Sequence, residues 1–269
     1  MINKKIGFIG IGNMGYSILK GIVKSGKVSP ENIIVSAKSK KTLDKAKEDL
    51  NIKGTLSNKD LAKKSDIIFL GVKPNIHSYI LKEIKDDIKE DAIIVSMAAG
   101  ITLENMEEIL GKSRLVKIMP NIGALVNMSM TAMSHLNLNS SEKNKIKSLL
   151  ETFGLVSDIS EDLMDSFSGI SGCSPAFAFM FIEAMADSAV LHGMDRESAY
   201  TYSAQALKGA AELVIKTGIH PGALKDMVTS PGGSTIEGVV SLEENGFRHA
   251  VIKAVDASIN KSKKMTKES

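Results

Sequence analysis

The stretch IGFIGIGNMG, residues 6–15, decides how this chain folds. Ile6 to Ile9 form a short apolar run, and Gly10, Gly12 and Gly15 follow as G-x-G-x-x-G at the start of the amphipathic segment YSILKGIV. After a strand and before a helix, the first glycine permits a tight turn and the second lets the backbone approach a pyrophosphate. The third lets helix and strand pack closely. The helix start adds free amides and a partial positive charge. Glycines also end strands for no further reason, so the context carries the reading, and it predicts a dinucleotide site.

Outward from that loop, IGFIG, NIIVS, DIIFLGV, AIIVSM and RLVKIM alternate with charged, amphipathic stretches over the first 160 or so residues. Short β-branched runs with helical segments between them predict βαβ units around a parallel sheet buried on both faces. Leu155 to Ile159 is a candidate last strand. The dinucleotide type is set at the end of the second strand, where a carboxylate would hold the ribose 2′-hydroxyl of NAD. Here Ser36-Ala37-Lys38-Ser39-Lys40-Lys41 contains none. Hydroxyl and ammonium groups suit a 2′-phosphate, so NADP(H) is favoured over NAD(H), with Ser36 and Lys38 nearest the strand end. The alternative is that these lysines are only the solvated first turn of the next helix. Two further strand ends, Gly71-Val72-Lys73-Pro74 and Met97-Ala98-Ala99-Gly100, stand where an open α/β sheet places its ligand, though Pro74 and Gly100 also serve as loop punctuation.

After Asp162 the texture changes. SPAFAFMFIEAMADSAVLHGM and DRESAYTYSAQALKGAAELVIKTG are long, apolar at helical spacing and stopped by glycine, which predicts a helical second half. Ser174-Pro175 reads as a helix start. The apolar residues go round most of each helix, more than one small domain buries, so a partner subunit is expected.

A chain of 269 residues with 43% hydrophobic and 24% charged residues reads as globular rather than disordered. A net charge of +3 gives no basic face of the kind nucleic acid selects. The lone Cys173 allows no internal disulfide and no cysteine-rich zinc site, so no metal is expected and the cytoplasm is the default compartment. No run approaches the roughly 18 apolar residues of a membrane span; the most apolar, Ala176 to Ile182, is ended by Glu183. The N-terminus has no signal-peptide pattern. The Lys-rich tail KSKKMTKES, residues 261–269, is expected to fray in solvent.

The remaining motifs are VKP at 72–74, SMAAGI at 96–101, MPN at 119–121, SG-x-x-PA at 171–176, FIEA at 181–184 and HPGALKDMVTSPGGSTIEGV from His220. With the N-terminal glycines they resemble the pyrroline-5-carboxylate reductase family over nearly the whole chain, and the last block is the most specific. The resemblance implies reduction of the C=N bond of 1-pyrroline-5-carboxylate to L-proline by NAD(P)H. It implies an α/β fold in which a Rossmann-type domain, residues 1–160, precedes an all-α dimerisation and substrate domain, residues 161–269. The homodimer is often built further into rings. It also implies that Ile9, Gly10, Ile11, Gly12, Asn13 and Met14 line the pyrophosphate, and that Ser36 and Asn58 lie on the adenosine side. By the same resemblance, Gly71 to Pro74 and Met97 to Gly100 would form the inner wall, and Ser168, Ser230 and Thr235 would face the substrate. The chain departs from the pattern at Ile122-Gly123, where the family has Thr-Pro, at Asn127 to Met130, and at Cys173-Ser174.

Such a substrate carries a carboxylate, which backbone amides at a helix start can hold. In SPGGST, residues 230–235, Pro231 fixes a turn, Gly232 and Gly233 keep the amides open, and a helix follows from about Thr235. The expectation is that these amides, with Ser230 and Ser234, take the carboxylate while Thr235 donates toward the ring nitrogen. The bland alternative is that SPGGST only caps a helix. Cys173 is read as a small residue at a helix start, since imine reduction needs no covalent intermediate. Two rivals remain: a β-hydroxyacid dehydrogenase, disfavoured because SGISGCSPAFAFMFIE lacks a catalytic lysine, and a non-catalytic NADP-binding regulator, disfavoured by the second anion loop.

Overall fold

The computed structural model describes residues 2–111 and 113–267. The chain divides into two compact units, one running to Gly172 and resuming from Ser258, the other Cys173–Ala257.

The first unit is built on an eight-stranded sheet: β1 (Ile6–Ile9), β2 (Ile33–Ser36), β3 (Lys53–Thr55), β4 (Ile67–Leu70), β5 (Ile93–Ser96), β6 (Arg114–Met119), β7 (Ser129–Leu136) and β8 (Gly154–Asp158). Its order is β3-β2-β1-β4-β5-β6-β7-β8. Helices α1 (Asn13–Lys24), α2 (Lys40–Leu50), α3 (Asn58–Lys64), α4 (Pro74–Ile84), α5 (Leu103–Leu110), α6 (Ser140–Leu150) and α7 (Met164–Phe167) connect the strands and lead out of the sheet. β1, β4 and β5 are buried along their whole length, as parallel strands covered on both faces must be. Phe8 and Phe69 stack between neighbouring strands with centroids 4.6 Å apart and 6° between planes. α1 turns Ile18, Leu19 and Ile22 to one side of the sheet, all fully buried, each stabilising the unit by roughly 1.5–3 kcal/mol.

Two strands lie outside the sequence expectation. β3 has three residues, too few for a periodic signal. β7, SMTAMSHL, lacks the β-branched density of its neighbours and runs antiparallel to β6, so the sheet is mixed rather than purely parallel. A 3-10 segment, Ile122–Val126, and Asn127 in the left-handed region at φ 58° make that reversal. The C-terminal tail also differs from expectation. It is helical to Lys267, and the hydroxyls of Ser262 and Thr266 donate to Asp165 Oδ1 at 2.6 and 3.1 Å. Two side-chain bonds to one carboxylate outweigh fraying; Glu268 and Ser269 lie outside the described residues.

The second unit is helical: α8 (Ser174–Leu191), α9 (Arg196–Thr217), α10 (Pro221–Met227), α11 (Ser234–Glu244) and the first half of α12 (Phe247–Lys267). α9 stops at Gly218 in the left-handed conformation. α8 grows directly out of a π-helical segment, Ser168–Cys173, so Ser174 lies inside continuous helix instead of capping one. That run, Glu161–Leu191, is 31 residues and long and apolar enough to cross a membrane by length and composition. The sequence reading stopped at Glu183 and missed it. Among α8 residues only Ala186 is buried, while Phe179, Met180, Met185 and Leu191 are exposed, as are Tyr202, Leu213 and Ile215 on α9. Apolar surface of this extent requires a cover.

Candidate functional site

The Gly10 loop is fixed by mutual backbone packing. Gly10 has φ +82°, and a Cβ there would meet Val72 Cγ1 at 2.8 Å. A Cβ on Gly15 would stand 2.8 Å from the Gly10 carbonyl oxygen, and one on Gly71 only 2.3 Å from it. These three glycines therefore let β1, α1 and the end of β4 touch. Gly12 differs, because a Cβ there meets no protein atom within 4 Å. It faces open space and is also the N-cap of α1, where no side chain accepts from the first-turn amides.

That open space is a cavity of about 760 Å³ lined by Ile11 to Met14, Tyr16, Lys41, Lys45, Asn121, Ile122 and Gly172, among others. The α1 start, with no side-chain cap and no acidic residue in its first turn, and Lys41 and Lys45 in the same lining give this cavity groups suited to an anion. The residues fit a dinucleotide pyrophosphate by this test. A smaller cavity of about 90 Å³ is lined by Ile9, Gly10, Ser36, Ala37, Lys38, Leu56, Asn58, Val72, Ile76 and Ile80. Its apolar faces suit an adenine ring and its polar rim a ribose. Consecutive residues of one loop, Gly10 and Ile11, thus belong to the two cavities in turn.

The structure brings Ile9 to Met14, Ser36, Lys38, Asn58 and Val72 into these cavities. Gly71 packs on Gly10, whereas Lys73 is the exposed N-cap of α4 and Pro74 its first residue. Met97 to Gly100 follow β5 without lining either cavity; Ala98 is buried and Gly100 has φ +80°. Ahead of them, Ser96 Oγ lies 2.8 Å from His77 Nε2 and accepts from Ala98 N–H at 3.3 Å. His77 is fully buried, and burial pushes its imidazole down to about 4.

Sequence reasoning missed Tyr16, Lys41, Thr42, Lys45 and Asn121. Lys41 belongs to the Ser36–Lys41 run that favours NADP(H), where Ser36 and Lys38 are the residues nearest the strand end; it lines the larger cavity one turn before Lys45, on the same face of α2. That i, i+4 spacing was the available signal. Lys45 Nζ lies 5.3 Å from the Tyr16 ring centroid, and the Tyr16 hydroxyl donates to Asp49. Partial burial, followed by that bond, raises the phenol to about 12, so the ring stays neutral beside an anion site.

Ser168 opens the π-helical segment, and its Oγ lies 3.4 Å from the position a Gly172 Cβ would take. In the second unit, Ser230 accepts through its carbonyl from Gly233 N–H at 3.1 Å, Gly232 has φ +67°, and Gly233 is the N-cap of α11. The helix begins at Ser234, one residue before the expected start. Again no side chain accepts from its first amides, as at α4 and α8, whereas α2, α3, α5, α6, α9 and α10 receive side-chain caps from Ser39, Ser57, Thr102, Asn139, Asp195 and His220. A Cβ on Gly233 would lie 2.4 Å from Ser230 Oγ, so the glycine leaves room for that hydroxyl over the helix start. Thr235 and Ser230 are exposed.

Comparison with known proteins agrees with this geometry. Residues 161–265 match the family model described as pyrroline-5-carboxylate reductase dimerisation, and residues 5–100 match one described as NADP oxidoreductase, coenzyme F420-dependent. The pyrroline-5-carboxylate reductase of Escherichia coli is 46% identical over 99% of this chain and 100% of its own. That of Methanosarcina acetivorans is 43% identical over 100% of each. The crystal structure of Plasmodium falciparum pyrroline carboxylate reductase with NADP bound superposes with a TM-score of 0.89 at 34% identity, covering 99% of both chains. By motif, fold and likeness over its full length, the chain belongs to the pyrroline-5-carboxylate reductase family.

Proposed function

We propose that this protein reduces the ring C=N bond of 1-pyrroline-5-carboxylate to give L-proline, with NADP(H) as the preferred cofactor. When bound, the cofactor supplies the hydride. The pyrophosphate is held by the open amides of α1 behind Gly12, and the adenosine by the cavity of Ser36, Lys38 and Asn58. Lys38 and Lys41 supply positive charge for a 2′-phosphate. The observation that carries the substrate reading is the glycine-capped start of α11, an uncapped set of amides matching those of α1. Those amides with Ser230 and Ser234 bind the carboxylate, and Thr235 donates a hydrogen bond toward the ring nitrogen as it gains electron density.

Residues 1–160 act as the dinucleotide domain and 161–269 as the dimerisation and substrate domain. The exposed apolar faces of α8 and α9, within the matched dimerisation region, take a second copy of the chain as cover rather than lipid. A +3 charge and one cysteine suit a cytoplasmic enzyme that has no nucleic-acid partner.

The test is steady-state reduction of pyrroline-5-carboxylate with NADPH and with NADH, for the wild type and Thr235→Ala. NADPH is expected to be preferred by about 10- to 100-fold, the worth of one charge-assisted contact. Thr235→Ala should lower kcat at saturating substrate by about 10- to 100-fold. Turnover within a few-fold of wild type would remove Thr235 from the donor role.

A further inference from the structure

Asn121 lines the larger cavity together with Gly12, Asn13 and Met14, yet its amide is wholly engaged by protein. Nδ2 donates to the Ser171 carbonyl at 3.1 Å and to Ser171 Oγ at 3.2 Å, and Oδ1 accepts from Gly123 N–H at 3.0 Å. The amide orientation follows from chemistry: a carbonyl must be met by N–H, and a backbone N–H by an oxygen. Ser171, buried, donates its own hydroxyl to the Met130 carbonyl at 3.2 Å, while the Asn121 N–H donates to Ser129 Oγ at 3.1 Å. One side chain therefore ties the β6–β7 reversal to the π-helical segment Ser168–Cys173.

Gly123 supplies the N–H that the Asn121 oxygen accepts. A proline at this place, as in the family pattern, has no N–H to offer Asn121. Any Cβ here would meet the Met128 carbonyl oxygen at 2.3 Å, and that same loop closes through Met128 N–H donating to the Gly123 carbonyl at 2.9 Å. The departure at Ile122-Gly123 thus gives the Asn121 oxygen a fixed donor.

We propose that Asn121 is a positioning residue, locked by Gly123, that holds the segment carrying Ser168 and Gly172 against the cofactor cavity. The proposal rests on the reading that Ser168 faces pyrroline-5-carboxylate. Because all three amide contacts go to protein, Asn121 acts through the segment and not on the cofactor.

The test uses the full-length dimer with Asn121→Asp, which keeps the acceptor for Gly123 but sets an oxygen against the Ser171 carbonyl. Three readouts are taken: kcat/KM for pyrroline-5-carboxylate, NADPH Kd by fluorescence without substrate, and hydrogen exchange of the amides at 168–173. Expected are a loss of roughly tenfold or more in kcat/KM, NADPH Kd and binding stoichiometry within about threefold, and exchange faster by roughly tenfold. Unchanged kcat/KM, unchanged exchange, or a kcat/KM loss matched by lost NADPH stoichiometry overturns it. Should Asn121→Asp not accumulate, Ser171→Ala decides: exchange at 168–173 should quicken about threefold with NADPH Kd held, and unchanged exchange overturns the anchor. If the wild type fails to reduce pyrroline-5-carboxylate, the substrate reading falls, and the exchange data still judge the anchor.

Discussion

Ser36 Oγ donates to Asn58 Oδ1 at 2.7 Å, and Asn58 Nδ2 in turn donates to Glu83 Oε2 at 2.9 Å. Ser36 is 1% exposed and its hydroxyl proton goes to Asn58, so it lines the smaller cavity without offering that proton to a ligand. The positive charge for a 2′-phosphate then falls on Lys38 and Lys41, each lining one of the two adjoining cavities. Lys38→Ala and Lys41→Ala should each raise NADPH Kd by about three- to tenfold and leave NADH Kd within twofold. Equal losses for both cofactors would show that the lysines do not read the phosphate.

Gly12 and Gly15 separate binding from folding within one motif. Gly12→Ala adds a methyl group where no protein atom lies within 4 Å, so the thermal midpoint should stay within about 2 °C of wild type while NADPH Kd rises roughly tenfold or more. Gly15→Ala drives Cβ to 2.8 Å from the Gly10 carbonyl and should cost about 1–3 kcal/mol of stability. Thermal melts paired with fluorescence titration check both.

Glu161 holds two groups from different elements. Its Oε1 accepts from Lys117 Nζ at 3.1 Å and from Leu103 N–H, in the first turn of α5, at 2.9 Å. Lys117 is 3% exposed in the middle of β6. Glu161→Ala leaves that ammonium buried and unpaired, for an expected loss of about 3 kcal/mol in denaturant unfolding. Glu161→Ala with Lys117→Met should recover most of it, since the uncompensated charge is then gone.

His77 makes stability fall on the acid side. Its ordinary value is 6.5 and burial lowers it to about 4, so between those values the unfolded chain binds a proton that the folded chain refuses. Above about pH 6.5 both states are neutral and the residue adds no pH dependence. Stability should drop as pH falls from 6.5 toward 4, by up to roughly 3 kcal/mol. His77→Gln should flatten that limb in unfolding midpoints measured between pH 7 and 4.5; a limb of unchanged slope assigns the acid sensitivity elsewhere.

The cofactor side was legible because its chemistry is local. Gly10, Gly12 and Gly15 are set by backbone constraints within ten residues, and a strand and a helix on either side are enough to interpret them. As a helix start SPGGST was legible for the same reason, with Gly233 the N-cap of α11 and no side-chain cap on its amides. β7 was not, because SMTAMSHL is held in place by pairing with β6 and β8 and not by its own propensity. Asn121 was not either, since its partner Ser171 lies 50 residues away.

By itself, the sequence determined the βαβ alternation around β1, β2, β4, β5 and β6, the helical second half, the Gly10 turn and the glycine-led start of α11, all consequences of backbone conformation over short spans. Only the tertiary structure decided which side chains share a cavity: it placed Lys41 and Lys45 in one cavity lining with Asn13, turned the Ser36 hydroxyl inward to Asn58, and seated the Asn121 amide between Gly123 and Ser171. Those outcomes depend on packing between residues far apart in the chain, where one buried hydrogen bond fixes an orientation that local propensity leaves open.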